Sequence, residues 1–284
     1  MITIKDLRYK YQNTNQEAVK GISFAIARGE IFGFLGPSGA GKSTTQNILI
    51  KLLDGYEGKI QLYGKDLKEF GSELYEKIGV SFELPNHFLK LSAVDNLAFF
   101  QSLYTDPTRD IDQLLDLVGL LEHKKVRVEN FSKGMKMRLN FARSLLNNGD
   151  ILFLDEPTVG LDPVNAKNIK NIILEQKARG KTIFITTHNM QVADDLCDRV
   201  AFIVDGQIVE IDQPEELKLK HGQHVVQVEY YLNEQIETKS FSLDGIGDNQ
   251  EFLQILKSYQ IRTLHSQETT LEDVFIKVTG RRLA

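Results

Sequence analysis

Apolar residues recur along this chain in two rhythms, and the change from one to the other divides it into blocks. Residues 2–7, 22–27, 31–35, 59–63 and 78–82 are short, rich in β-formers and set off by glycine-bearing turns, which predicts strands. From about Ala93 to Asn148 the pattern turns helical: Leu97, Phe100 and Tyr104 share one face, and Leu114, Leu117, Val118 and Leu121 share another. Strand signals return at 151–154 and 182–186, separated by a helix-length segment from Pro163 to Arg179. That is the spacing of a βαβ unit, and it predicts a mainly parallel sheet. Val200–Val204 and Gln207–Ile211 flank Asp205-Gly206, a hairpin signal.

Beyond a short helix at 214–220 the texture shifts to strands at 224–231 and 236–242, a helix at 249–259, a strand at 261–264 and a last helix. Thr269 and Glu272 stand in capping-box spacing before that helix, whose Leu271, Val274, Phe275 and Val278 form one apolar stripe. Core packing is the simpler reading of the stripe, a dimer contact the other. The pattern predicts a domain over 1–220, with a helical subdomain at about 84–148, and a small accessory or regulatory α/β domain over 221–284.

Composition narrows the class. With 284 residues, 42% of them hydrophobic, the chain can bury a sizeable core. A net charge of −5 argues against a nucleic-acid binder that relies on overall basicity, so no nucleic-acid partner is expected. The single Cys197 allows neither an internal disulfide nor a cysteine-based zinc site. The start, Met-Ile-Thr-Ile-Lys-Asp, lacks the basic and apolar regions of a signal peptide. Apolar runs such as Ile31–Leu35 and Ile151–Leu154 are far below the roughly 20 residues that span a bilayer, so any membrane role is expected to work through a partner.

Three segments carry chemistry. In residues 30–49 a strand is followed by Gly36-Pro37-Ser38-Gly39-Ala40-Gly41-Lys42-Ser43-Thr44 and then a helix, the full phosphate-binding P-loop. Its glycines let consecutive N–H groups turn inward, Lys42 reaches the β- and γ-phosphates, and Ser43 is placed to bind Mg²⁺. In "ILFLDEPTVGLD", four apolar residues form a buried strand from whose C-terminal end Asp155 and Glu156 emerge. Asp155 is expected to hold Mg²⁺ through its water shell, and Glu156 to orient and deprotonate the attacking water. His188, just past the strand at 182–186, is expected to face the γ-phosphate.

A fourth segment, "FSKGMKMRLNFARSLL" at 131–146, reads as a helix with an awkward start. Ser132 is a natural N-cap, but Lys133 places a cation at the positive end of the helix dipole and Gly134 is a poor helix former. Both features make sense if that N-terminus receives an anion.

The ordered set GPSGAGKST, SKGMK, ILFLDEP, GLD and His188 resembles the ATPase subunits of ATP-binding cassette (ABC) transporters over roughly residues 1–215. The intervals, 23 residues from Ser132 to Asp155 and 33 from Asp155 to His188, make this more specific than a P-loop alone. The resemblance implies an α/β P-loop NTPase fold with a mainly parallel sheet, an antiparallel β subdomain and a helical subdomain. It implies ATP hydrolysis with ATP and Mg²⁺, by two ATPase subunits closing head to tail, with a homodimer expected and a heterodimer the alternative. Each subunit would place Ser132 and Gly134 against the other's nucleotide. Tyr11 matches the residue that stacks on adenine, with Tyr9 close by, and Asp162 matches the loop that communicates between sites. The 83–88 segment, with the helical region behind it, matches the lid and groove gripping an integral-membrane transporter subunit, with Phe99, Phe100 and Tyr104 mostly in the core and one of them expected to line the groove. The implied location is cytoplasmic, peripheral on the inner face of the cell membrane.

Two departures stand out. Glu83 replaces the usual glutamine that contacts Mg²⁺ and water, so a charged metal ligand is expected there. The usual Leu-Ser-Gly-Gly-Gln signature reads Phe131-Ser132-Lys133-Gly134-Met135. This form, Glu83-Leu-Pro and the ending "TLEDVFIKVTG" resemble the type-2 exporters that handle drugs, antibiotics or lipids. A soluble ABC ATPase acting on DNA or ribosomes is the alternative, but no coiled-coil insertion, zinc module or second cassette is present in the sequence. An unrelated P-loop kinase or GTPase would not need the signature.

Overall fold

Pairing carries the first strands well past their apolar stretches. The computed structural model describes residues 1–12, 14–106, 108–222, 225–233, 235–267 and 269–281. In it β1 (Ile2–Lys10) and β2 (Glu17–Ile26) pair antiparallel from Ile2↔Ile26 to Lys10↔Glu17, so both run further than the sequence pattern predicts. Backbone hydrogen bonds along the ladder hold the polar residues that carry no hydrophobic signal. With β4 (Glu57–Leu62) and the two-residue β5 (Lys65–Asp66) they form a sheet ordered β2-β1-β4-β5.

The second sheet, ordered β10-β9-β3-β8-β7-β6, sets the chemistry in place. Its strands are β3 (Ile31–Leu35), β6 (Ile78–Ser81), β7 (Ile151–Asp155), β8 (Thr182–Thr187), β9 (Arg199–Val204) and β10 (Gln207–Asp212). All pairs are parallel except β9 with β10. Every residue of β3, β7 and β8 is buried, as expected of strands covered on both faces. Phe24 of β2 stacks on Phe32 and Phe34 of β3 at 5.2 and 5.4 Å, welding the two sheets into one core. Because β3, β7 and β8 are parallel neighbours, their C-terminal ends open on one edge.

The predicted helical stretch is three main helices, because caps interrupt it. After α1 (Lys42–Leu49) and the short α2 (Glu73–Lys77) come α3 (Ala93–Gln101), α4 (Ile111–Leu117) and α5 (Lys133–Ser144). Ser92 and Asp95 close a capping box on α3, Asp110 caps α4, and Ser132 caps α5. Then follow α6 (Pro163–Ala178) and α7 (Met190–Leu196). At five and seven residues, α2 and α7 are too short to show a helical period.

The chain divides into two compact units, Met1–Gln213 and a second beginning at Pro214. The helix α8 (Pro214–His221), grouped by the sequence pattern with the first domain, belongs to the second, where it packs on α10 (Leu271–Thr279). Here β11 (Val225–Leu232) is central between β12 (Gln235–Ser242) and β13 (Ile261–Gln267). Residue 224, expected to start this strand, lies outside the described residues. Val226, Val228, Tyr230 and Phe241 pack with Phe252 and Ile255 of α9 (Gln250–Ser258). The capping box of α10 is Thr270 with Asp273, one residue later than the Thr269 and Glu272 expected from spacing. That register buries Leu271, Val274 and Phe275 within the chain, in keeping with the core reading of their stripe. Among the described residues no helix is long and apolar enough to cross a membrane.

Candidate functional site

The P-loop leaves β3 where only glycine fits. A Cβ on Gly36 would lie 2.1 Å from the Ile203 carbonyl oxygen, and Gly41, at φ +108°, N-caps α1. The Lys42 ammonium donates to the carbonyls of Gly36 at 2.6 Å and Pro37 at 3.0 Å. Burial pulls the Lys42 ammonium below its ordinary range, while the charges of Glu156, Asp155 and Glu83 hold it up.

Opposite the loop, the ends of β7 and β8 are stitched together by hydroxyls. Thr186 Oγ1 donates to Asp155 Oδ1, and Ser43 Oγ lies 3.4 Å from Asp155 Oδ2. Burial pushes the Asp155 carboxyl up; the Thr186 hydrogen bond counters it, and the neighbouring Glu156 and Glu83 charges add to it. Glu156 sits at φ +47°, a left-handed conformation uncommon for a residue with a side chain. Its carboxylate turns back onto β8, where Oε2 accepts from Thr187 Oγ1 at 2.8 Å. Its Oε1 accepts from the His188 N–H at 2.8 Å and meets His188 Nδ1 at 2.6 Å.

Ser38, Gly39, Gly41, Lys42, Ser43, Thr44, Glu83, Asp155, Glu156 and His188 all line one cavity of about 280 Å³. Tyr11 does not line it but reaches a residue that does, its hydroxyl 3.1 Å from Thr44 Oγ1, and the Tyr9 ring meets it edge-on at 5.0 Å. Ser132, Gly134 and Asp162 do not line it. They form a second cluster, in which a Cβ on Gly134 would lie 3.4 Å from the Gly160 carbonyl oxygen and the Lys133 stem covers Gly160. Ser132 Oγ accepts from the Met135 N–H at 3.2 Å, which leaves its own proton to donate. The Asp162 carboxylate caps α6, with Oδ1 accepting from Val164 and Asn165 at 3.1 and 3.0 Å.

The sequence reading missed the polar residues that hold this frame. Thr186 and Thr187 look like ordinary strand residues, although a threonine pair ending a strand beside two acids is a usable signal. Asn140 is fully buried, donating to Ser81 Oγ at 3.0 Å and the Phe82 carbonyl at 2.7 Å. Arg143 donates to Asn140 Oδ1 at 2.7 Å and to the Asn86 carbonyl at 2.9 Å, and His87 Nε2 donates to the Lys136 carbonyl at 2.9 Å. These bonds tie α5 to the 81–88 segment that carries Glu83.

A separate, mostly apolar groove of about 700 Å³ is lined by Leu52, Phe82, Phe100, Leu103, Tyr104 and Arg143, among others. Phe100 and Tyr104 line it, and Phe99, expected in the core, is 43% exposed because it lies on the outer side of α3.

Comparison with known proteins agrees with this geometry. Residues 19–159 match the ABC transporter family and residues 224–268 match the fluoroquinolone efflux ABC transporter C-terminal domain. A fluoroquinolones export ATP-binding protein of Mycobacterium tuberculosis is 52% identical over all of this chain and 94% of its own length. A bacitracin transport ATP-binding protein of Bacillus licheniformis is 31% identical over 99% of this chain and 97% of its own. Among solved structures, a dimeric ATP-binding cassette in a post-hydrolysis state with ADP and phosphate superposes with a TM-score of 0.68 at 26% identity. The match covers 75% of this chain and 98% of that one. A P-loop facing two strand-end acids and a histidine, with the signature at a helix start, places this chain in the ABC transporter family as one of its ATPases.

Proposed function

We propose that this chain powers a drug exporter of the fluoroquinolone type, by binding and hydrolysing Mg–ATP between two copies of itself. The observation that supports the reading most is the convergence of Lys42, Ser43, Glu83, Asp155, Glu156 and His188 on one cavity. Lys42 would turn from its carbonyl partners to the β- and γ-phosphates, and the N–H groups of Ser38 to Thr44 would cradle them. Tyr11 would stack on adenine. Glu156 is the base: three hydrogen-bond donors fix its carboxylate at the wall of the cavity, where it would accept the proton of the attacking water. His188 would both hold Glu156 and donate to the γ-phosphate.

The donors fit a hard divalent cation. Ser43, Asp155 and Glu83 offer oxygen only, and a cation beside Asp155 would relieve a carboxylate that burial and two acids disfavour. Among the described residues no group of three or more His, Cys, Asp or Glu side chains is placed to hold a metal ion. Mg²⁺ held there would neutralise phosphate charge.

A second copy would bring its Ser132 hydroxyl, Gly134 backbone and Asp162 loop to the nucleotide. The apolar groove between the lid and α3 would receive an integral-membrane subunit, holding the chain at the inner face of the cell membrane. Drug selectivity would lie in that subunit. The decisive experiment is Glu156→Gln: ATP binding persists, turnover stops, and an ATP-bound dimer accumulates in size-exclusion chromatography. Hydrolysis near the parent rate would remove Glu156 from its role. For the substrate, cells expressing the chain with its co-purifying membrane subunit accumulate less fluoroquinolone than cells carrying Lys42→Ala. Equal accumulation would reject the drug class.

A further inference from the structure

In the unit that begins at Pro214, one strand is left bare. β12 is the outer strand of the order β12-β11-β13, and every residue from Gln235 to Ser240 is exposed. It pairs with β11 without a break, from Val225↔Ser242 to Leu232↔Gln235. Such an edge offers a row of backbone N–H and C=O groups to a further strand, and proteins usually blunt it with a proline, a bulge or a covering element. β12 has no proline, and its ladder has no register shift. The opposite edge is blunted: the ladder of β13 to β11 shifts between Thr263↔Glu229 and Ile261↔Tyr230, which leaves Arg262 as an extra residue.

The charges on this edge select what can join it. Phe241 packs on Phe252 of α9 at 5.5 Å and Lys239 bonds Glu251 of the same helix, so Glu237, Lys239 and Phe241 share the α9 side of the sheet, and Ile236, Thr238 and Ser240 the other. A second copy of β12 can add antiparallel about a two-fold axis through one residue, which keeps both α9 helices on one side of the joined sheet. Centred on Glu237 or on Lys239, that pairing sets a charge against its own like. Centred on Thr238, it sets Glu237 opposite the partner's Lys239 and Lys239 opposite the partner's Glu237, with the ladder running from Gln235 to Phe241. An ammonium has three donors, so Lys239 can hold Glu251 of its own chain and the partner's Glu237 together. Pairing β12 with the β13 of another copy would instead repeat end to end without closing.

We propose that two copies of this chain join β12 to β12 in the register centred on Thr238, turning two three-stranded sheets into one continuous antiparallel sheet. Backbone hydrogen bonds supply the attraction, and the two unlike pairs fix the register. The contact needs no nucleotide, so it is independent of the ATP-bound dimer proposed above.

The test uses the full chain stripped of nucleotide and divalent cations, so that ATP-dependent pairing does not contribute. Sedimentation velocity should show a concentration-dependent dimer, weakened at least tenfold in Glu237→Lys and in Lys239→Glu, whose copies face like charges. Mixing the two variants recreates both unlike pairs and should restore the parent affinity. Both positions are exposed, so the variants are expected to fold, and circular dichroism checks that they do. Cysteine cross-linking reads the register on its own. The single native cysteine, Cys197, is buried, and facing residues of an antiparallel pair lie within disulfide range. Thr238→Cys should therefore give a disulfide-linked dimer on mild oxidation, at least tenfold faster than Glu237→Cys or Lys239→Cys, whose copies are offset along the strands. A chain that stays monomeric without nucleotide, a dimer that both charge reversals leave intact, a mixture that does not recover, or cross-linking no faster at 238 than at 237 and 239 overturns the proposal.

Discussion

Thr187→Val isolates the support of Glu156 from its chemistry. Valine keeps the shape and β-branching of threonine, so the buried end of β8 is preserved and only the hydroxyl is lost. That hydroxyl donates to Glu156 Oε2 at 2.8 Å and accepts from the Asn189 N–H, which opens α7, at 3.0 Å. The His188 donors reach Oε1, so Thr187 is the described residue that fixes the other oxygen. A hydrogen bond to a buried charge contributes about 1.5–3 kcal/mol. If the aim of the carboxylate matters only as water attacks, kcat falls by roughly 10- to 150-fold. The ATP KM stays within about threefold, because Thr187 does not line the cavity. Steady-state phosphate release at saturating Mg–ATP, with calorimetric ATP binding as control, measures both, and Thr187→Ser should restore the rate. A Thr187→Val enzyme with kcat within threefold of the parent, or a loss carried wholly by KM, would refute the claim that Glu156 is aimed by β8.

Three further outcomes are expected. His87 is pushed down to about 4, chiefly by burial and then by Arg143 and Lys136. Between pH 6.5 and 4 the unfolded chain therefore takes up a proton that the folded chain refuses; stability falls as pH drops, by up to roughly 3 kcal/mol, and urea melts of His87→Gln should show a smaller fall. Tyr11→Ala should weaken ATP binding by about 5- to 100-fold, with Tyr11→Phe near the parent and Tyr9→Ala smaller in effect; an equal loss in Tyr9→Ala would move the adenine platform. Glu83→Gln should raise the Mg²⁺ concentration that half-saturates ATP binding several-fold, read by fluorescent nucleotide titration, and an unchanged value would exclude Glu83 as a ligand.

What could be read from sequence was whatever a single segment encodes. The P-loop announces itself because glycines, a lysine and a serine must be neighbours to wrap a phosphate, and Asp155 and Glu156 because they follow an apolar strand. The hydroxyls of Thr186 and Thr187 were invisible, since their partners stand 31 residues away and meet them only when β7 and β8 pair. Asn140 and Arg143 carry no signal of their own within the predicted helix; their role depends on the 81–88 segment passing over them. The α10 cap slipped by one residue because threonine stands at both 269 and 270 and an acid at both 272 and 273. Spacing alone could not choose between them.

The bonds from α5 to the lid have a consequence for motion. An exposed loop carrying Leu84 and Phe88 would ordinarily flutter on its own. Here a shift of Glu83 away from α5 must break the Asn140, Arg143 and His87 contacts together, at about 1 kcal/mol each. Four such bonds put the torn state near one part in a thousand. The 81–88 segment and α5 are thus engaged like a clutch: a displacement at Glu83 would carry α5 with it before the loop loosened.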